Sequence, residues 1–263
     1  MQCEPTVQTR LFQLPRPCLR LAHFAHILYY SNQLDMTDPN QAIYFPILIR
    51  FAKTGLMRFI GHLDWQDLQQ SIFIRSGLPT SIGEGPTHKL KIKTSPPTPV
   101  GVESFTELTF LGLSEAIYPD EAKRRLDKTC PDGISVIFCR DAGRMVTKNP
   151  FGKIEAASYT VNFGDGVTPE QLDSILNVLE KVKDDVVPDG IDPEDVKKFW
   201  GRIHEARCDG PAVTLFVKQL EGDTFHAAQC AGFLEKYLGL SNYPIFSKLN
   251  YYRLSPSKRK LFA

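Results

Sequence analysis

Ile47-Leu48-Ile49-Arg50-Phe51-Ala52-Lys53, an apolar β-rich run, and His88-Lys89-Leu90-Lys91-Ile92-Lys93-Thr94, which alternates basic and apolar residues, bracket a segment of helical spacing. Strict alternation is the mark of a strand with one buried face. Between the two runs, Trp65, Leu68 and Ile72 share one helical face behind Asp64, and Gly77-Leu78-Pro79 stops the pattern. This predicts a strand, a helix over 65–76 capped by Asp64, and a second strand over 88–94. Working outward, Phe105–Leu111 is a third strand. Pro119 opens a helix in which Ala122, Leu126 and Cys130 share a face, and Pro131-Asp132-Gly133 ends it. Ile134–Cys139 is a fourth strand, so the order is β-α-β-β-α-β.

The second half repeats that order. Tyr159–Phe163 reads as a strand, and Thr168-Pro169-Glu170-Gln171 is a capping box before the stripe Leu172, Ile175, Leu176, Leu179 and Val182. Pro193 to Trp200 reads as a short helix in a loop. Strands are expected at Ile203–Cys208 and Val213–Leu220, a helix from Phe225 to Leu238, and a closing strand at Ile245–Leu254. Two such units in tandem imply an α+β protein of two ferredoxin-like domains with antiparallel sheets. Their expected extents are 46–156 and 157–263, the second ending in the solvated basic tail Lys258-Arg259-Lys260.

Residues 1–45 differ: Pro5, Pro15 and Pro17 break any regular element, and the expectation is a poorly ordered extension. Arg10, Arg16 and Arg20 against Glu4 faintly suggest organelle targeting, while Met36 is the alternative start. The chain as a whole is nearly neutral, at +1. Residues 46–163 carry 15 Lys and Arg against 12 Asp and Glu, and residues 164–263 carry 13 against 15, so any anion-binding face belongs to the first half. The six cysteines form no C-x-x-C pair and no C-x-x-x-C-x-x-C run, which excludes the cluster-binding loop of a radical-SAM enzyme. No apolar run is long enough to cross a bilayer, and the expected location is the cytoplasm.

Four ordered motifs carry a resemblance: Phe59-Ile60-Gly61-His62-Leu63-Asp64, then Ser76-Gly77-Leu78-Pro79, then Gly85 with His88, then Pro99-Val100-Gly101-Val102-Glu103-Ser104. The chain resembles the radical-SAM-linked domain of unknown function, well over 47–139 and more faintly over 157–254. That family's pattern runs R-F-x-S-H-L-D, A-G-L-P, Q-G-F-N-P-H-P and P-L-G-V-E-S. Here Gly85-Pro86-Thr87-His88-Lys89 shortens the third motif and lacks its aromatic. The resemblance implies work beside a radical-SAM protein and, by fold analogy, an RNA substrate.

His62 and Asp64 are the candidate acid and base, since histidine is the usual proton-transfer side chain. The plainer reading makes Asp64 a cap and His62 a loop residue. Lys89, Lys91 and Lys93 form a ladder on one strand face that would track phosphates, helped by Lys53 and Arg58; alternatively they keep an edge strand soluble. Phe59 is a possible stacking platform, although a core position is the stronger expectation. Gly85, His88 and Glu103 complete the expected substrate-binding set, with Glu103, Ser104 and Glu107 otherwise read as turn and solvent-face residues. No metal or cofactor is expected.

The expected function is an RNA-binding accessory to a radical-SAM enzyme in tRNA or rRNA modification. The alternatives are an RNA-modifying enzyme using His62 and Asp64, and a purely structural partner module.

Overall fold

The computed structural model describes residues 45–83, 89–143, 150–163, 167–168, 170–174, 176–177, 203–209, 212–218, 245–254 and 259–261. The chain divides into a unit over residues 1–43 and a second over 44–263. The first unit, and with it the expected N-terminal extension, lies outside the described residues. So do the helices expected at Pro193–Trp200 and Phe225–Leu238. Everything below concerns the second unit.

Among the described residues, nine strands form one sheet. They are β1 (Phe45–Lys53), β2 (Ile92–Thr94), β3 (Glu103–Leu113), β4 (Ile134–Asp141), β5 (Ala156–Asn162), β6 (Ile203–Asp209), β7 (Ala212–Lys218), β8 (Ile245–Leu254) and β9 (Arg259–Leu261). The main order is β4-β1-β3-β8-β5-β7-β6, with β2 added to β3 and β9 to β8. Every pairing is antiparallel except β3 with β8, which run parallel through Glu103–Ser247 and Ser104–Lys248. The protein is therefore α+β with a large, mostly antiparallel sheet. Two separate sheets were expected; the β3–β8 link makes them one.

Two helices of the first half cover its strands. α1 runs His62–Arg75 and α2 runs Pro119–Asp127, the latter opening on its proline. Trp65, Ile72 and Phe73 of α1 and Ala122 and Leu126 of α2 bury against Ile49, Phe51, Leu111 and Val136. Phe51 meets the Trp65 ring edge-on at 5.6 Å between centroids. Each such aliphatic or aromatic burial contributes about 1.5–3 kcal/mol. A second core gathers Tyr159, Val161, Val213, Leu215, Val217 and Phe246. Leu172 and Leu176 pack on it from a helix opened by the capping box: Thr168 N donates to Gln171 Oε1 (2.9 Å) and Gln171 N to Thr168 Oγ1 (3.3 Å).

Three local expectations are corrected. Asp64 does not cap α1: Gly61 is extended there and its carbonyl accepts from Trp65 N (2.9 Å), so the helix begins at His62. Asp64 sits in the first turn instead, where a carboxylate favours the positive end of the helix dipole. The strand expected over 88–94 is confined to Ile92–Thr94, because Lys91 N bonds Ser81 O and Leu90 bridges Ile82. The basic tail is not merely solvated, since Arg259–Leu261 pairs with Tyr252–Leu254. Among the described residues, no helix is long and apolar enough to cross a membrane.

Candidate functional site

The sequence Lys53-Thr54-Gly55 must leave β1 and enter α1 within a few residues, and it does so through a 3-10 turn over Gly55–Phe59. Thr54 N and Oγ1 both donate to Gly133 O, tying this turn to the loop after α2. Gly133 has φ +82, and a Cβ there would stand 2.7 Å from Thr54 O, so only glycine fits. Glu103, at the start of β3, accepts from Gly55 N (3.0 Å) and pairs with Arg58 (3.6 Å). The Arg58 guanidinium lies 4.8 Å from the centre of the Phe59 ring. Phe59 is 54% exposed, which overturns its expected place in the core: in a 3-10 turn with no buried residue it has no interior to face.

One turn further on, the His62 ring is 3.1 Å from Gln66 Nε2, which also donates to Thr94 Oγ1 of β2 (3.4 Å). Gln66 and Thr94 line an open cleft of about 170 Å³ between α1 and residues 89–94, with Gln70, Lys89, Leu90 and Ile92 as its other walls. The structure thus brings His62, by way of Gln66, to a cleft whose rim carries Lys89. Asp64, two residues along the same helix, points to a different side, because residues two apart on a helix do not face each other. Its carboxylate lies over Gly61.

Beneath His62 is a group the sequence reading placed on the surface. Glu107 is 3% exposed, where a solvent-face residue was expected. It is held by Lys248 Nζ of β8 (3.2 Å) and by Thr98 Oγ1, with a further bond from Ser104. Lys248, fully buried, also donates to Tyr251 Oη (2.7 Å), which donates in turn to Pro96 O (2.8 Å). Lys53, expected beside a phosphate track, is 2% exposed and faces the same carboxylate. Alternation is the cause: Lys53 is two residues after Phe51 on β1 and Glu107 is directly opposite Phe51 on β3, so both charged side chains share the buried face. Burial raises the Glu107 carboxyl, but the Lys248 and Lys53 ammonium groups outweigh it and hold the pKa below its ordinary value. Burial also pushes Lys53 down, against Glu107 and with Lys248. His62 is lowered, first by burial, with Glu107 opposing and Lys53 and Lys248 reinforcing. At neutral pH its imidazole is therefore uncharged, able to accept a proton or a hydrogen bond.

Of the expected substrate-binding residues, Arg58 and Glu103 form one pair and Lys89 lies at the cleft, whereas Lys91 and Lys93, half-buried, alternate with the lining residues Leu90, Ile92 and Thr94 and do not line it. Gly85 and His88 lie outside the described residues. Among the described residues, no three His, Cys, Asp or Glu side chains are grouped to hold a metal ion.

Strand β1 from Ile47 on, β2 to β4, the 3-10 turn and the cleft fall within residues 47–199, which match a family described as an uncharacterized protein conserved in bacteria (DUF2344). The chain belongs to that family. Lys248 and Tyr251, which complete the buried charge group, lie beyond the matched segment. No curated protein matches the chain.

Proposed function

We propose that the chain binds RNA as a cytoplasmic accessory to a radical-SAM enzyme that modifies tRNA or rRNA. The observation that carries this reading is the exposed Phe59 ring, approached by the Arg58 guanidinium and seven residues before Gln66, which lines a cleft bearing Lys89. Recognition of unpaired bases combines a stacking ring with nearby cations, and Arg58 already marks the ring face as a place for a flat cation or base. Gln66, Gln70 and Thr94 add donors and acceptors suited to base edges. The link to a radical-SAM partner rests on the four sequence motifs. We read the two halves, 46–156 and 157–263, as ferredoxin-like units; the orders β4-β1-β3-β2 and β8-β5-β7-β6, each antiparallel, support this.

The test is crosslinking and sequencing of RNA bound to the purified protein, beside K89Q/K91Q/K93Q and F59L. The expected result is RNA recovered from the wild type and lost from both variants, with the salt slope of binding falling by about 2 in the lysine triple. Equal recovery from all three, or no enriched RNA and no radical-SAM protein captured, overturns the reading.

A second reading is favoured by His62. An uncharged, half-buried imidazole bonded to a cleft-lining glutamine is placed for general-base work on RNA, acting without Asp64. Loss of RNA modification, but not RNA binding, in His62→Ala would select this reading over the accessory one.

A further inference from the structure

Arg50 alternates with Ile49 and Phe51, so it lies on the face of β1 opposite the one that α1 covers. In β4, Phe138 is directly opposite Arg50 and Arg140 is opposite Leu48, so both share that face. The Arg140 guanidinium lies 4.3 Å from the centre of the Phe138 ring. Arg50 spans β3: its Nε donates to Phe105 O (2.6 Å), and its Nη2 donates to Leu249 O (2.8 Å) and Asn250 Oδ1 (2.9 Å) on β8.

The same row continues across the second half. Asn250 is opposite Ser158 of β5, and Ser158 is opposite Phe216 of β7. Ser158 Oγ donates to Tyr252 Oη (3.4 Å), and the Tyr252 ring meets Phe216 edge-on at 5.7 Å. Arg207 of β6 closes the row, its guanidinium 5.9 Å from the Phe216 ring and paired with Glu205. Three arginines and three aromatic rings thus interleave across the sheet from β4 to β6, a distance of about 29 Å at ~4.8 Å per strand spacing. Phe138, Tyr252 and Phe216 are half-buried, and Arg140 and Arg207 are exposed.

We propose that this row is a second binding surface, separate from the cleft, and that its ligand is single-stranded nucleic acid. Rings whose faces are already approached by guanidinium groups offer stacking places that tolerate any base. The arginines supply charge along the backbone path. The Asn250 amide and the Tyr252 hydroxyl supply base-edge partners, while the buried Ser158 hydroxyl holds Tyr252 in place. A duplex hides its base faces within its own stack, so this row discriminates against it.

The inference does not rest on the cleft, and one experiment separates the two. Fluorescence anisotropy would follow a labelled single-stranded uridine RNA of about twelve nucleotides, and the same strand paired with its complement. The variants are F216L, Y252L, Y252F, R140Q and the lysine triple; Arg50 is left intact because it fastens β3 to β8. Thermal melts and circular dichroism check that each variant is folded.

The wild type is expected to bind the single strand more tightly than the duplex. F216L and Y252L should each weaken it about tenfold, Y252F should retain it, and R140Q should reduce the salt slope. Loss in the aromatic variants with binding kept in the lysine triple supports this surface and removes the cleft. Loss in the lysine triple with F216L and Y252L unchanged does the reverse. A folded wild type that binds no single strand, or whose row captures only a protein, overturns the inference.

Discussion

Glu107→Gln is the most exacting perturbation the structure offers. The substitution keeps the side-chain shape and an acceptor for Thr98 and Ser104, but it removes the negative charge shared by two buried ammonium groups. At 3.2 Å the attraction to Lys248 alone is worth about 5 kcal/mol at an effective dielectric of about 20. Breaking one side of a buried pair typically costs about 3–5 kcal/mol, because the remaining charge is left without water or partner. The loss has a ceiling. A lysine starting from a pKa of 10.5 can be neutralised at pH 7 for about 5 kcal/mol, so the folded state will shed a proton rather than accept more. The expected loss at pH 7 is therefore about 3–5 kcal/mol.

The two proteins should also differ in the sign of their pH dependence. In the wild type, Glu107 is lowered in the fold. Its contribution is present above the carboxyl's unfolded pKa and lost as pH falls through the folded value. In the variant this acid-side loss disappears. Lys53, already pushed down by burial, loses the carboxylate that opposed the shift and falls further, so the unfolded chain holds more protons and stability climbs with pH by up to about 1.4 kcal/mol per unit. Urea titrations at pH 7 and 9.5, with unchanged slopes, measure both effects. E107Q/K248M should recover part of the loss, since a similar-sized apolar side chain removes the stranded charge. A variant less than about 1 kcal/mol weaker than wild type at pH 7, with no gain toward pH 9.5, would refute the reasoning.

Three further outcomes are expected. Gly133→Ala forces a left-handed backbone on alanine and presses its Cβ to 2.7 Å from Thr54 O, so it should cost about 1–3 kcal/mol or more in the same titration. Burial pushes the thiols of Cys130 and Cys139 up to about 11 and about 12. Iodoacetamide at pH 8 should then leave both unmodified in the native protein and label both in urea, read by mass spectrometry. The His62 imidazole should titrate below its ordinary value of 6.5 by NMR, and lower still in E107Q, where the opposing carboxylate is gone. The unfolded chain then takes up the proton first, so stability falls as pH drops through about 6.5.

What was legible in the sequence is the local part. The apolar β-rich run Ile47–Lys53, the proline opening Pro119–Asp127 and the capping box at Thr168 and Gln171 depend on neighbours a few residues away, and each produced the element expected. The extent of β2 was misjudged because Lys89 and Lys91 continue the alternation of Lys93, while Lys91 divides its backbone bonds between Ser81 and Gly112 of β3. The exposed Phe59 was misjudged because an aromatic beside an apolar helix resembles core until the 3-10 turn is known. His62 and Lys89 were singled out in the sequence; that Gln66 connects His62 to a cleft was not legible, since the Thr94 it also reaches comes from a strand 28 residues away.

The buried charges were illegible for a different reason, and it bears on how the fold is held. A lone Lys53, Glu107 or Lys248 in a strand reads as solvent-facing, because burying any one of them unpaired is prohibitive. They become affordable only together, and they come from β1, β3 and β8, the last contributed by the opposite half of the chain. The parallel step between Ser104 and Lys248 puts the Lys248 ammonium within reach of Glu107, and Tyr251 anchors it to Pro96. Arg50 makes the corresponding tie on the other face of β1, through Leu249 and Asn250. Each half thus leaves charges or carbonyls that only the other satisfies. The sheet continues through the β3–β8 junction because stopping there would strand an ion.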